Sequence, residues 1–298
     1  MIRPPGSAMA PVALTFVSAI MWGLWWIPIR WIESMGLSGA QAGVICNLGA
    51  MIAVAAYMVV WRVSPRITLR VALGAGLIAL SFSFYSIALT FSDVVRVILL
   101  FYLAPAWSKI IEWAFLRQPW RASSSLTLVL SLLGAYLVLG GDLSLAALNI
   151  GDVMALIAGV SWAIGATLIF TGAAPRTPAL TLATVAWAAL QSLIFALVMD
   201  EAIGVVADPG VIAIALVLGA LYLVPLLGLT LWSATRLPPA LLSFLFTLEI
   251  VSGVVSGALL LDEPFGVTRA AGGMLIFGAA MFEAVMTLRA PAMSRTPT

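Results

Sequence analysis

FYLAPAWSKIIEWAFLRQPW, residues 101–120, is apolar enough to cross a bilayer, yet it holds Pro105, Lys109 and Glu112. Lys109 is the only lysine of the 298 residues. A charge at membrane depth costs about 2.5–3.5 kcal/mol even on insertion scales, so it is usually paired, buried in protein or turned to a water-filled cavity. Pro105 removes a helical hydrogen bond and bends the segment. A second stretch, FTLEIVSGVVSGALLLDEPF at 246–265, repeats the pattern about 145 residues later, with Glu249 in mid-helix and Glu263-Pro264 where the first copy has Gln118-Pro119. Two related helices, each carrying one deep charge, point to a site between two repeats.

Composition agrees. Hydrophobic residues make up 63% of the chain and charged ones 9%, with a mean hydropathy of +1.16, whereas a soluble domain is about one quarter charged. The apolar runs are roughly twenty residues long and do not alternate, which favours helices over a β-barrel. They fall at 11–29, 38–62, 70–91, 94–116, 124–141, 151–171, 179–199, 211–235, 239–261 and 266–289, predicting an all-α integral membrane protein of ten transmembrane helices. At 1.5 Å per residue such lengths span about 27–37 Å, matching a hydrocarbon core of about 30 Å.

Loop charges fix an orientation. Sorting the loops alternately puts ten arginines on the side of the termini: Arg3, Arg62, Arg66, Arg70, Arg117, Arg121, Arg176, Arg236, Arg289 and Arg295. Only Arg30, Arg96 and Arg269 fall on the other side, where the loop acids also lie. The positive-inside rule then predicts both termini in the cytoplasm. There is no histidine and one cysteine, Cys46. No metal site, cofactor or disulfide is expected, and the scattered arginines speak for topology rather than nucleic acid.

The chain divides into a tail (1–10), two five-helix units (11–141 and 151–289) and a second tail (290–298). SIALTFSDVVRVILLFYLAP (86–105) matches LWSATRLPPALLSFLFTLEI (231–250), and Trp22 matches Trp162. Since five is odd, the second unit inserts upside down, the plan of many secondary transporters with substrate near the midplane.

The duplicated unit, the fourth/ninth-helix pattern and Glu263-Pro264 resemble the drug/metabolite transporter superfamily in its EamA-like branch. Residues 101–107 (FYLAPAW) and 248–257 (LEIVSGVVSG) resemble the fourth and ninth helices of the YddG-type aromatic amino acid exporters. The resemblance implies a ten-helix basket around a central cavity in the cell inner membrane, exporting aromatic and other neutral amino acids. Gln118 departs from the acid that many members carry at that point.

Several residues are candidates for the substrate site. Lys109 and Glu249 suit the carboxylate and ammonium of a zwitterion. The alternatives are that Lys109 snorkels to the interface or pairs with Glu112, and that Glu249 sits in a structural ion pair. Tyr85, Tyr102, Trp22, Trp162, Trp107 and Tyr222, with Phe244, Ser81 and Ser243, are mid-helix candidates for stacking, cation–π contact or hydrogen bonding, or equally for packing. Pro28, Pro105 and Pro225 are candidate hinges. Asn47 and Gln191 are intramembrane amides open to either a substrate or a structural role. The function expected is a secondary transporter moving amino acids by alternating access, with small-molecule and lipid partners. Broad drug or metabolite efflux on the same fold is the alternative. A polytopic enzyme fits less well, since no catalytic cluster is present.

Overall fold

A computed structural model describes residues 6–117, 120, 122–140, 148–170, 175–199, 208–237, 239–261 and 266–289. Thirteen α-helices and one π-helical turn make ten spans. The first is α1 (Gly6–Gly23) with α2 (Trp26–Ser34), the second α3 (Gly39–Val60), the third α4 (Leu69–Phe91), the fourth α5 (Val94–Phe101) with α6 (Ala104–Leu116), and the fifth α7 (Ala122–Val138). The sixth is α8 (Ile150–Phe170), the seventh α9 (Thr177–Val198), and the eighth α10 (Pro209–Leu218), the π turn Gly219–Leu223 and α11 (Val224–Ala234). The ninth is α12 (Pro239–Leu260) and the tenth α13 (Val267–Arg289). Seven spans are long and apolar enough to cross a membrane, and the fifth, ninth and tenth contribute shorter apolar helices. Ten crossings put both chain ends on one face, here the terminal face; the opposite one is the far face.

Three spans are interrupted, each next to one of the prolines singled out in the sequence. Pro28 lies in α2 just past the break at Leu24–Trp25, and Pro105 is the second residue of α6, past the break at Tyr102–Leu103. In the eighth span Val224 N–H reaches five residues back to Gly219 O, just before Pro225, whose ring nitrogen has no proton to donate. A proline removes one rung of the ladder, and a break or a π turn absorbs the mismatch. Some helix starts carry side-chain caps: Ser38 and Gln41 form a reciprocal capping box on α3, and the Thr68 side chain accepts from Val71 N–H on α4.

Packing follows a two-fold plan. The first span packs on the eighth and ninth, and the sixth packs on the third and fourth. The second packs on the eighth as the seventh does on the third, and the ninth on the tenth as the fourth does on the fifth. The pairs 2–7, 5–10 and 4–9 map onto themselves. Exchanging each span with the one five places along preserves most of these contacts, the exceptions being those of α2 with α3 and α4, as two inverted five-helix repeats require. Small residues permit the closest approaches. A Cβ on Gly219 would fall 1.8 Å from Cys46 O, and one on Gly49 would fall 2.1 Å from Leu216 O.

A cavity on the pseudo-two-fold axis

The central cavity holds about 820 Å³ of space free of atoms, its mouth included. Equivalent residues of the two repeats meet in its wall: Trp22 with Trp162, Tyr85 with Thr230, Phe101 with Phe246, and Ala104 with Glu249. Phe82, Tyr102, Ser108, Leu242 and Ala280 complete the lining. Trp22 stacks on Phe82 at 4.8 Å between centroids, Phe82 lies 5.8 Å from Trp162, and Tyr85 lies 5.1 Å from Phe101. These rings form a nearly continuous aromatic wall.

Glu249 is the only charged side chain in the lining among the described residues, and it is 4% exposed. The break at Tyr102–Leu103 turns Tyr102 across the repeat interface. Its hydroxyl donates to Glu249 Oε2 at 2.8 Å and also contacts Phe246 O. The Tyr85 hydroxyl is buried in the same wall without a well-formed hydrogen bond. It still interacts with the Glu249 carboxylate, so the two groups are placed together to meet a polar group of a bound molecule. On the first span the ring nitrogens are committed instead. Trp22 Nε1 donates to Thr230 Oγ1 at 2.8 Å, Ser18 Oγ lies 2.8 Å from the same oxygen, and Trp26 Nε1 reaches Ser256 Oγ at 3.0 Å.

Of the residues singled out in the sequence, Trp22, Tyr85, Tyr102, Trp162 and Glu249 come together here. Lys109 does not line the cavity, although its neighbour Ser108 does; successive helical residues differ in direction by about 100°, from 3.6 residues per turn. The described hydrogen-bond partner of Glu249 is the Tyr102 hydroxyl. Tyr222 is also elsewhere, stacked on Trp25 at 5.3 Å with its hydroxyl donating to Met21 O at 2.7 Å. Ser81 is fully buried outside the lining, and Trp107 packs beside Gly159. The Ser243 and Phe244 side chains, and those of Glu112 and Gln118, lie outside the described set. Asn47 donates to Gly43 O at 2.7 Å and Gln191 to Gly76 O at 2.9 Å, both structural bonds.

The reading of single residues missed Phe82, Phe101, Phe246 and Thr230. The repeat offset of 145 residues carries the signal for two of them: Thr230 is the counterpart of Tyr85, and Phe246 that of Phe101. Phe82 stands three residues before Tyr85, hence on the same helical face.

Residues 149–283 match the profile of the EamA-like transporter family, a stretch that runs from the head of α8 well into α13. This supports a membrane transporter of the drug/metabolite transporter type. A solved crystal structure of a protein superposes with a TM-score of 0.64 over 93% of this chain and 99% of that one, at 15% identity; the likeness is one of fold. No curated protein sequence matches the chain.

Proposed function

We propose that the protein is a secondary transporter of the inner membrane, with cytoplasmic termini, that exports aromatic and other neutral amino acids by alternating access. The observation that carries this reading is a single carboxylate, Glu249, set in a mainly aromatic cavity between inverted repeats. An aromatic body stacks on the rings, while an ammonium gains from the carboxylate, the tyrosine oxygens and the ring faces. The substrate carboxylate has fewer partners, since no cationic side chain faces the cavity among the described residues. That favours a second reading, efflux of apolar amines that lack a carboxylate.

Matched substrates separate the two. Phenylalanine and tryptophan are compared with phenethylamine and tryptamine for saturable uptake into proteoliposomes, in wild type and Glu249→Gln. Amino acid uptake that exceeds amine uptake and disappears in Glu249→Gln supports the first reading. Amine uptake alone supports the second. Uptake unaffected by Glu249→Gln removes both.

A further inference from the structure

The two ends of the pseudo-two-fold axis are not equivalent. Beyond the symmetric ring at mid-depth, the central cavity continues between α6, α12 and α13 toward the terminal face, through Ser108, Leu242 and Ala280. A smaller pocket that shares Trp22 and Phe82 with it lies off the axis, against Ile29, Gly43 and Ser192. The counterparts of Ser108, Leu242 and Ala280 at the far end, Gly253, Val97 and Ala135, are sealed. Val97 is 0% exposed and Ala135 6%, and a Cβ on Gly253 would meet Ile98 Cδ1 at 2.2 Å. Helix α5 makes the seal, with Val94, Val95, Val97, Ile98, Leu99 and Leu100 all at 0% exposure.

Two ion pairs hold α5 to the opposite repeat. Arg96 Nη2 lies 2.6 Å from Asp152 Oδ2 on α8, and Arg269 Nη1 of α13 lies 2.7 Å from Asp93 Oδ2 at the head of α5. Asp152 is 0% exposed; Ser92 Oγ donates to its Oδ1 at 3.0 Å and Asn149 N–H to its Oδ2 at 2.9 Å. The break at Tyr102–Leu103 frees α5 from the rigid run of α6. At the equivalent end of the other repeat, the sequence has Pro238 for Asp93, Leu241 for Arg96, Val12 for Asp152 and Ser124 for Arg269.

Resting on the transporter reading but on no particular substrate, we propose that α5 is the far-face gate. It is hinged at Tyr102–Leu103 and latched shut by Arg96–Asp152 and Asp93–Arg269. The terminal face, where the sequence places uncharged residues at the positions equivalent to the latch, is the one open in the resting protein. The latch makes the far-closed state the lower in free energy, and substrate must overcome it to exit on the far side.

Side-specific thiol labelling tests the gate without any substrate. Ser108→Cys is placed in the Cys46→Ser background, and a membrane-impermeant thiol reagent is added to either face of the full-length protein in vesicles. The parent reacts from the terminal face and slowly from the far face. Asp152→Asn and the neutral double variant R96Q/D152N, which strands no charge, raise the far-face rate on the order of tenfold, the response of a population shifted toward the far-open state. Arg269→Gln, at a partly exposed pair, raises it by a smaller factor and keeps the test decisive if the Asp152 variants do not fold. A parent that labels equally from both faces overturns the proposal. So does a far-face rate unchanged in every folded variant. Since no substrate enters the assay, failure of the amino acid assignment leaves its outcome readable.

Discussion

The head of α5 and the head of α12 occupy equivalent positions in the two repeats, yet they do opposite things. The first is packed solid and carries Asp93 and Arg96 in ion pairs to the other repeat. The second contributes Leu242 and Phe246 to an open cavity. Backbone symmetry alone would make the two faces equally ready to open. Side chains remove that degeneracy, because an ion pair stabilises one end only when it lacks a counterpart at the other. The lesson concerns inverted repeats generally: the fold supplies two equivalent gates, and a few charges choose which is shut.

The largest expected effect breaks the closed end outright. Asp152→Leu strands Arg96 and deprives Ser92 and Asn149 of their acceptor, and removing one partner of a buried pair costs about 3–5 kcal/mol. A fall in the thermal midpoint of the purified protein measures it, whereas Val12→Leu at the equivalent place should change little. Next comes Gly219→Ala, which drives a methyl into Cys46 O from 1.8 Å; overpacking at such a contact costs about 1–3 kcal/mol. Gly278→Ala is its control, since nothing stands within 4 Å of the added carbon and alanine is the better helix former by about 1 kcal/mol. That variant should melt no lower than wild type.

Tyr102→Phe sharpens the comparison at the shared centre. It removes the donor that holds the Glu249 carboxylate, and losing a hydrogen bond to a charged group costs about 1.5–3 kcal/mol. Apparent substrate affinity in proteoliposomes should weaken about tenfold or more, with the maximal rate less affected. Tyr85→Phe, which removes a hydroxyl that meets Glu249 without a well-formed bond, should weaken substrate affinity with little change in the melting temperature.

Most of the fold was legible in the sequence because the bilayer imposes it. The lengths of the apolar segments report one constraint, that backbone polar groups must be satisfied within the span. The three interrupted spans were marked by Pro28, Pro105 and Pro225, though not the form each break takes. The π turn at 219–223 depends on Gly219 seating against Cys46, a contact between residues distant in sequence. The site was half legible for the same reason. Glu249 stands out by its cost at depth, but the partner that answers it is decided by the turn at Tyr102–Leu103. Lys109, equally conspicuous, is not among the lining residues, while its neighbour Ser108 is. Periodicity tells which residues share a face, and tertiary packing tells where that face points.

The smallest expected effect bears most directly on the asymmetry. Asp93 is 37% exposed and Arg269 20% in their pair, and exposed pairs contribute about 0–1 kcal/mol. Arg269→Gln should therefore leave the melting temperature within a degree or two of wild type. Global unfolding is governed by the whole core, against which so weak a pair disappears. Opening the far face is a different equilibrium, between two folded states. There a difference of about 1 kcal/mol alters the population ratio about fivefold, since 1.4 kcal/mol is a factor of ten. Raising salt should reproduce the substitution in wild type by screening the same pair and should do little in the variant. A melting temperature that falls steeply in Arg269→Gln would make the pair part of the scaffold. An unmoved melting temperature with a faster far-face reaction would mean that the charge acts on the gate.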